Sequence, residues 1–383
     1  MVKGNTLLRQ VQALVPRAFF ENIVARTRAD YKVQKAGCWS HLQTLLIGLL
    51  TGRSSIRDMA TTLEDRLPVL KSLGIGSVNR STLSYANRHR PAAVLRPLLA
   101  GLVDHFRAAF PEDHGARARR FVRLDSTVIR VSHTRFPWAV WAKERSAVRL
   151  HVGLEGASLL PAFVRITSYA IGERTVARTF AYAPGTILCF DRGYLSPAWF
   201  ATLAAQGLIF LTRWRSDVLY RVVRSSPLVK HEPVVADQII RFTGRWAAAH
   251  CSLPLRRIEY RDPHSGRELV FLTNALDWPA QTVADLYRRR WEIETFFRFL
   301  KQTLKVRRFY SVTENGVEWH ILSALLLYLL LKIMAQQCTR GWSLGHFLRK
   351  LAAHLLDRQS LATLLGSKPG PPFLPTAFCS TYS

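Results

Sequence analysis

The spacing of apolar residues along the chain changes period twice. From Trp39 to about Arg107 apolar positions recur every three or four residues, through HLQTLLIGLLTG, SIRDMATTLEDRL and STLSYANRHR, with breaks at Gly52, at Gly74 to Gly76 and at Pro91. That period predicts a small all-helical module. Ser81 is expected to cap its third helix, where Asn87, Arg88 and Arg90 are candidates to contact phosphates or base edges as a recognition helix does; an ordinary solvated helix is the alternative. A polar linker, PEDHGARARR, is followed by period-two runs: FVRLDSTVIRV (121–131), VRLHVGLE (148–155), PAFVRIT (161–167) and TILCFD (186–191), with GERTVARTF as a short helix before the last. These predict a mixed α/β domain. Further β-like runs, GLIFLTRW, LYRVV, QIIRFTG, LRRIEYR and ELVFLTN, recur between about 207 and 275 and predict a β-rich insertion, with DPHSG as a turn. After Pro279 the pattern is helical to about Leu365, and KPGPPFLPTAFCSTYS reads as a loosely held tail. The expected organisation is a helical domain at 1–110, a mixed α/β domain at 119–365 interrupted at about 207–275, and a tail at 366–383.

Composition narrows the function. The chain of 383 residues has 54 Lys and Arg against 26 Asp and Glu, a formal net charge of +28, which argues for a polyanionic partner. With 48% apolar and 11% aromatic residues it is not a disordered chain. The five cysteines are scattered, without Cys-x-x-Cys or zinc-ligand spacing, which suits a reducing compartment. The N-terminal segment lacks the features of a signal peptide, so no export is expected. The most apolar run, ILSALLLYLLL at 321–331, stops at Lys332, short of the ~20 residues that span a bilayer, and predicts a buried helix. Nucleic acid is therefore favoured over a membrane surface, since the positive charge is spread along the whole chain.

The segment YRRRWEIETFFRFLKQTLK (287–305) concentrates the candidate chemistry. Treated as one helix at about 100° per residue, it places Tyr287, Arg290, Glu294 and Lys301 within an arc of about 60°. Ile293, Phe296, Phe297, Leu300 and Leu304 form the adjacent stripe that would dock the helix on a core. A plain i, i+4 pair of Glu294 with Arg290 or Arg298 is the alternative. Asp125 lies within FVRLDSTVI, and Asp191 ends ILCFD before Arg192, Gly193 and Tyr194. A carboxylate following a buried strand is aimed out of the sheet edge, and two such aspartates with one helix glutamate would offer hard oxygen ligands for Mg²⁺ or Mn²⁺. A two-metal site of this kind serves in-line displacement at phosphorus. Each aspartate also has a near arginine, Arg123 or Arg192, as a simple ion-pair partner.

These residues resemble the DDE transposases of insertion-sequence family four. The family pattern of Tyr, two residues, Arg, three residues, Glu, six residues, Lys is matched by Tyr287, Arg290, Glu294 and Lys301, while LDST at 124–127 and DRGY at 191–194 look like its two aspartate motifs. The helical run WSHLQTLLIGLLTGRSSIRDMATTL with NRSTLSYANRHRP is similar to the N-terminal domain of one subgroup. The resemblance implies a ribonuclease-H-like fold in which Asp125, Asp191 and Glu294 bind two Mg²⁺ ions, with Mn²⁺ as a substitute. Tyr287, Arg290 and Lys301 would position the DNA end. It also implies a β insertion between the second and third carboxylates, which the 102 residues separating Asp191 from Glu294 accommodate. Within that insertion Trp214 and Trp246 are candidates to stack on a flipped base, with a core role as the alternative for each. Arg298, Lys305, Arg213 and Arg215 are further candidates for phosphate contact, or else solvated charges. The implied reaction is cleavage at the element's terminal inverted repeats and joining of the 3′-OH to target DNA. The implied agent is a homodimer acting on paired ends in the bacterial cytoplasm, associated with the nucleoid and not with a membrane.

Competing readings remain at this stage. Gly341 to Gly345 spells G-x-S-x-G, the nucleophile elbow of α/β hydrolases, but no strand is expected before it. An inactive DNA-binding protein of transposase ancestry and a metal-dependent nuclease without strand transfer would share most of the same residues.

Overall fold

The computed structural model describes residues 6–366 apart from 35, 65–69, 72–73, 77, 110–119, 228–232 and 264. The expected linker at 111–119 and the tail beyond Gly366 lie outside the described residues. The chain divides into two compact units, one of Met1–Pro111, Arg130–Ser146 and Phe297–Ser383, the other of Glu112–Ile129 and Ala147–Phe296.

The first unit is helical and is organised by the most apolar segment of the chain. Helix Glu314–Gln336 is apolar on all sides, so it must be surrounded. It packs against helices Cys38–Leu50, Arg80–His89, Leu95–Ala109 and Leu344–Ala353, and every residue from Ile321 to Leu331 is buried. By length and composition this helix could cross a membrane; instead, most of its apolar window is buried inside the protein. The C-terminal helices thus belong with the N-terminal ones, a division different from the boundaries expected from the sequence pattern, which assigned them to the mixed domain.

Two expectations for the third N-terminal helix are corrected. Its cap is Asn79, whose extended backbone lets Oδ1 accept the Thr82 amide at 2.8 Å, and Ser81 lies in the first turn, donating its hydroxyl to Asn79 Oδ1. Asn87 and Arg90 do not face solvent: they are 1% and 4% exposed. Asn87 Oδ1 bonds His41 Nε2 at 3.0 Å, and Arg90 Nη1 donates to the Gly37 carbonyl at 3.1 Å. Their own carbonyls accept from Asn315 Nδ2 at 2.9 and 2.6 Å. Both residues tie the helices together and are unavailable to DNA, whereas Arg88 is exposed. Ser343 of the G-x-S-x-G sequence caps helix Leu344–Ala353 and follows turn and irregular residues, not a strand, so it forms no nucleophile elbow.

The second unit is built on a mixed sheet. Its strands are β1 (Phe121–Val131), β3 (Arg145–Glu155), β4 (Leu160–Ser168), β5 (Ile187–Phe190), β6 (Ile209–Arg213), β7 (Tyr220–Ser225), β8 (Val234–Phe242), β9 (Leu255–Arg261) and β10 (Glu268–Thr273), with the short β2 (Val140–Ala142) lying in the other unit. The order is β4-β3-β1-β5-β6-β10-β9-β8-β7. The β1–β5 and β5–β6 pairs are parallel, and β6–β10, β10–β9, β9–β8 and β8–β7 are antiparallel. The strands expected as an insertion therefore continue the same sheet, joined to β6 through β10. Alternation along the strands feeds two cores. Val122, Leu124, Leu188 and Phe190 pack with Trp199, Phe200 and Phe210 on one face, and Phe121, Ile187 and Cys189 pack with Phe271 and Tyr287 on the other.

Burial of polar groups in the helical unit has a measurable consequence. His41 and His320 are fully enclosed, and burial pushes each imidazole down to about 3. His320 Nδ1 accepts the Tyr310 amide at 3.3 Å, which requires the neutral ring. In the unfolded chain both histidines protonate near pH ~6.5. The unfolded state therefore binds more protons below that pH, and stability falls as pH drops from about 6.5 toward 3, by up to ~1.4 kcal/mol per pH unit for each histidine. Thermal melts of the full chain should show a declining Tm from pH 7 to 5; an unchanged Tm across that range contradicts the buried neutral pair.

Candidate active site

The parallel register of β1 and β5 builds the centre of the site. Phe121 pairs with Ile187, and the match runs in step to Leu124 and Phe190. One residue further on, Asp125 stands beside Asp191, on strands whose spacing in a sheet is ~4.8 Å. Each aspartate binds the amide that follows it: Asp125 Oδ1 accepts from Ser126 N at 2.8 Å, and Asp191 Oδ1 from Arg192 N at 2.6 Å, where it caps the short 3₁₀ turn Arg192–Tyr194. Neither aspartate pairs with its neighbouring arginine as the simple ion-pair reading would have it.

Glu294 arrives from helix Trp291–Arg298, which is not continuous with the preceding helix Ala280–Arg288. The chain turns at Arg289 and Arg290 and winds as a π-helix over Phe299–Thr303. The single ideal helix assumed from the sequence is thus interrupted on both sides of Glu294, yet Arg290 still meets it at i, i+4. Arg290 Nη2 donates to Glu294 Oε1 at 2.7 Å, and its Nη1 lies 3.7 Å from Asp125 Oδ2. One guanidinium thereby links the first and third carboxylates. It is 6% exposed, with the rings of Tyr287 and Trp291 at 5.7 and 5.3 Å.

A second buried arginine fixes the helix break. Arg123, on the same strand face as Asp125, donates Nε to the Arg289 carbonyl at 3.0 Å and Nη1 to the Gly156 carbonyl at 2.9 Å, and it ion-pairs with Glu292. It is completely buried, with the Phe121 ring 4.5 Å from its guanidinium. Sequence reasoning treated Arg123 only as a partner for Asp125; the missed signal is a charged residue at an inward position of an otherwise apolar strand. Glu173 was also missed. Its carboxylate accepts the Ser126 hydroxyl, placing a further acidic group near Asp125, and nothing in GERTVARTF singles it out.

The electrostatics favour a cation. Burial raises the Asp125 carboxyl to about 7; the nearby charges of Glu173 and Asp191 add to this, while the Ser126 amide and Arg290 oppose it. Asp125 and Glu294 flank Arg290, and Glu173 and Asp191 lie near enough to Asp125 to raise its carboxyl. Hard oxygen donors of this kind suit a divalent ion chemically. Among the described residues, however, no three His, Cys, Asp or Glu side chains stand close enough to share one ion.

The remaining candidates are placed as follows. Tyr287, Arg213 and Arg290 line one cavity of about 450 Å³. The Tyr287 hydroxyl is buried without a hydrogen-bond partner, and its ring packs on Phe271 at 5.1 Å. Arg298 is exposed at its helix end, and Lys301 is half-buried in the π-helical turn. Lys305 donates Nζ to the Gly52 carbonyl at 2.6 Å, a structural lock and not a free phosphate contact. Arg215 is exposed and ion-paired with Asp217. Trp214 is half-buried, with Tyr220, Phe242 and the Arg257 guanidinium around its ring at 5.0, 6.4 and 5.5 Å. Trp246 is 56% exposed, with only His250 stacked on it.

Comparison with known proteins decides the family. The Transposase DDE domain family matches residues 117–330, more than half of the chain. The chain belongs to the DDE transposases. A domain of unknown function matches residues 3–76 of the transposase. A protein of Sinorhizobium fredii named as a transposase is 29% identical over 317 residues, covering 80% of this chain and 85% of its own. One from Geobacillus stearothermophilus, named as a transposase for insertion sequence element IS5377, is 28% identical and covers 69% of each chain. Among solved structures, the piggyBac transposase synaptic complex with hairpin DNA aligns over 95% of this chain and 82% of that one, at 12% identity and a TM-score of 0.45. As a member of the DDE family, the transposase has a ribonuclease-H-like core within its mixed α/β fold, and DDE transposase domains generally use divalent metal ions.

Removing the buried guanidinium tests how the helix break is held. Arg123→Met leaves the Arg289 and Gly156 carbonyls without their donor, which should cost about 2–4 kcal/mol at ~1–2 kcal/mol per orphaned group. Urea unfolding of the full chain measures this, and a change below ~0.5 kcal/mol contradicts the assigned role.

Proposed function

We propose that Asp125, Asp191 and Glu294 form the acidic centre at which the transposase cuts DNA at the ends of its insertion sequence and joins the freed 3′-OH to target DNA. The observation that carries this reading is the β1–β5 register, which sets Asp125 beside Asp191 while Arg290 links Asp125 to Glu294. Mg²⁺ held by these three residues, with Mn²⁺ as a substitute, would activate the attacking oxygen and stabilise the leaving one. The chain's own part is position and charge. Arg290 holds Glu294 in place until an ion competes for it, and Arg123 fixes the turn from which Arg290 projects. Tyr287, Arg213 and Arg290 share a cavity in which the unpartnered Tyr287 hydroxyl and the Arg213 guanidinium suit a phosphate of the DNA end. Arg88, Arg298 and Lys301 are the further DNA contacts, and Trp246, in place of Trp214, is the residue able to hold an unstacked base. The active species is a homodimer on paired terminal repeats, acting on DNA in the bacterial cytoplasm.

The decisive assay uses a labelled duplex carrying the element's terminal repeats, with Mg²⁺, and compares wild type with Glu294→Ala. The variant should bind the duplex while cleavage and 3′-end joining fall by ~10³-fold or more, the scale of losing several kcal/mol of charge stabilisation. Equal binding with no cleavage by either protein, in Mg²⁺ or Mn²⁺, would leave an inactive DNA-binding protein. Cleavage without joining would leave a nuclease.

A further inference from the structure

The first unit carries a cleft of about 860 Å³, none of whose residues belongs to the acidic centre. Four separate segments build it: the start of helix Ile56–Glu64, the start of helix Arg80–His89, the end of β1 with the turn after it, and residues 307–310. Its aromatic wall is held in place. Phe136 and Phe309 meet edge to face at 6.2 Å, and the Tyr310 hydroxyl donates to the Arg53 carbonyl at 2.9 Å.

What faces the cleft is positive charge. Arg57, Arg80, Arg130, Arg135, Arg307 and Arg308 all line it, and all are exposed. Among the described residues none of these six guanidinium groups has an ion pair or side-chain hydrogen bond, whereas exposed arginines elsewhere, such as Arg17, Arg261 and Arg288, are paired with Glu21, Glu268 and Asp285. The single carboxylate in the lining, Asp58, is engaged by the Ser54 hydroxyl at 3.0 Å. Six like charges around one cleft repel each other unless an anion lies between them, and their origin in four segments suits a run of phosphates better than one small anion.

We propose that this cleft binds the sugar-phosphate backbone of duplex DNA without reading its sequence. Guanidinium and hydroxyl groups supply the contacts that fix a backbone. The lining contains no Asn or Gln to select adenine, and its one carboxylate is occupied. That the polyanion is DNA rests on the transposase reading; the existence of a phosphate-binding cleft rests on the six arginines alone.

The test measures the affinity of the full chain for a duplex at several salt concentrations, on the element's terminal repeat and on an unrelated sequence. It compares wild type, Arg307→Ser with Arg308→Ser, and the same two positions changed to Lys. Each phosphate contact contributes ~0.9 to the slope of log affinity against log salt. The double Ser variant should therefore flatten the slope by about 1.8, making the loss of affinity between 50 and 200 mM salt roughly tenfold smaller, equally on both sequences. The Lys pair should keep the wild-type slope. Unchanged affinity and slope in the Ser variant, with its thermal melt intact, overturns the cleft. Tighter binding of a duplex RNA of equal length overturns the assignment to DNA. Loss of binding in the Ser variant alongside a wild type that never cleaves keeps the cleft and discards the catalytic reading.

Discussion

Two parallel strands cannot be joined by a tight turn, and this constraint governs the second unit. Because β1 and β5 run side by side in the same direction, the chain between them must travel away and return, and it does so through β3, β4 and the helix Glu173–Ala177. The return sets the end of β5 level with the middle of β1, which makes one edge of their pairing. Leu124 and Phe190 anchor that edge from the apolar side, so the residues that follow, Asp125 and Asp191, are brought together by the backbone alone. Their proximity costs burial and repulsion, visible in the raised Asp125 carboxyl, and the register imposes it regardless.

The two buried arginines answer this in different ways. Arg123 uses its donors on backbone carbonyls and Glu292, so it acts as a brace between the sheet and the break in the helices. Arg290 uses its donors on the carboxylates themselves, at 2.7 and 3.7 Å. A guanidinium is planar and always charged, so lysine could reproduce neither arrangement. Arg290 is thus the cation that Asp125 and Glu294 share.

Much of this was legible in the chain. The period-two runs located β1, β4, β5 and most later strands within one or two residues of where they lie, while β3 and β8 begin at Arg145 and Val234, earlier than the runs starting at Val148 and Gln238; strands buried on both faces carry dense apolar runs. The motifs around Asp125, Asp191 and Glu294 were visible because their spacing is local. What the sequence hid was whatever depends on partners distant in the chain. Asn87 and Arg90 look like surface residues of a helix until His41, Gly37 and Asn315 are seen around them. Trp214 looks like a free aromatic until Tyr220, Phe242 and Arg257 from β7, β8 and β9 are seen beside its ring. The interruption at Arg289–Arg290 leaves no Pro or Gly signal, because a buried arginine from another strand holds it.

The helix Glu314–Gln336 also sets the order in which the protein can be completed during synthesis. Helices Cys38–Leu50, Arg80–His89 and Leu95–Ala109 leave the ribosome early, but the surface they bury against lies more than two hundred residues further on. At ~5–20 residues per second that delay is about 10–45 s. For that interval the N-terminal helices have only one another to pack on and lack the central helix, while the sheet, whose strands lie between, already has all of its own. The sheet unit is therefore finished before the helical one, and a chain ended before Glu314 would keep the acidic residues Asp125, Asp191 and Glu294 while lacking the central helix of the other unit.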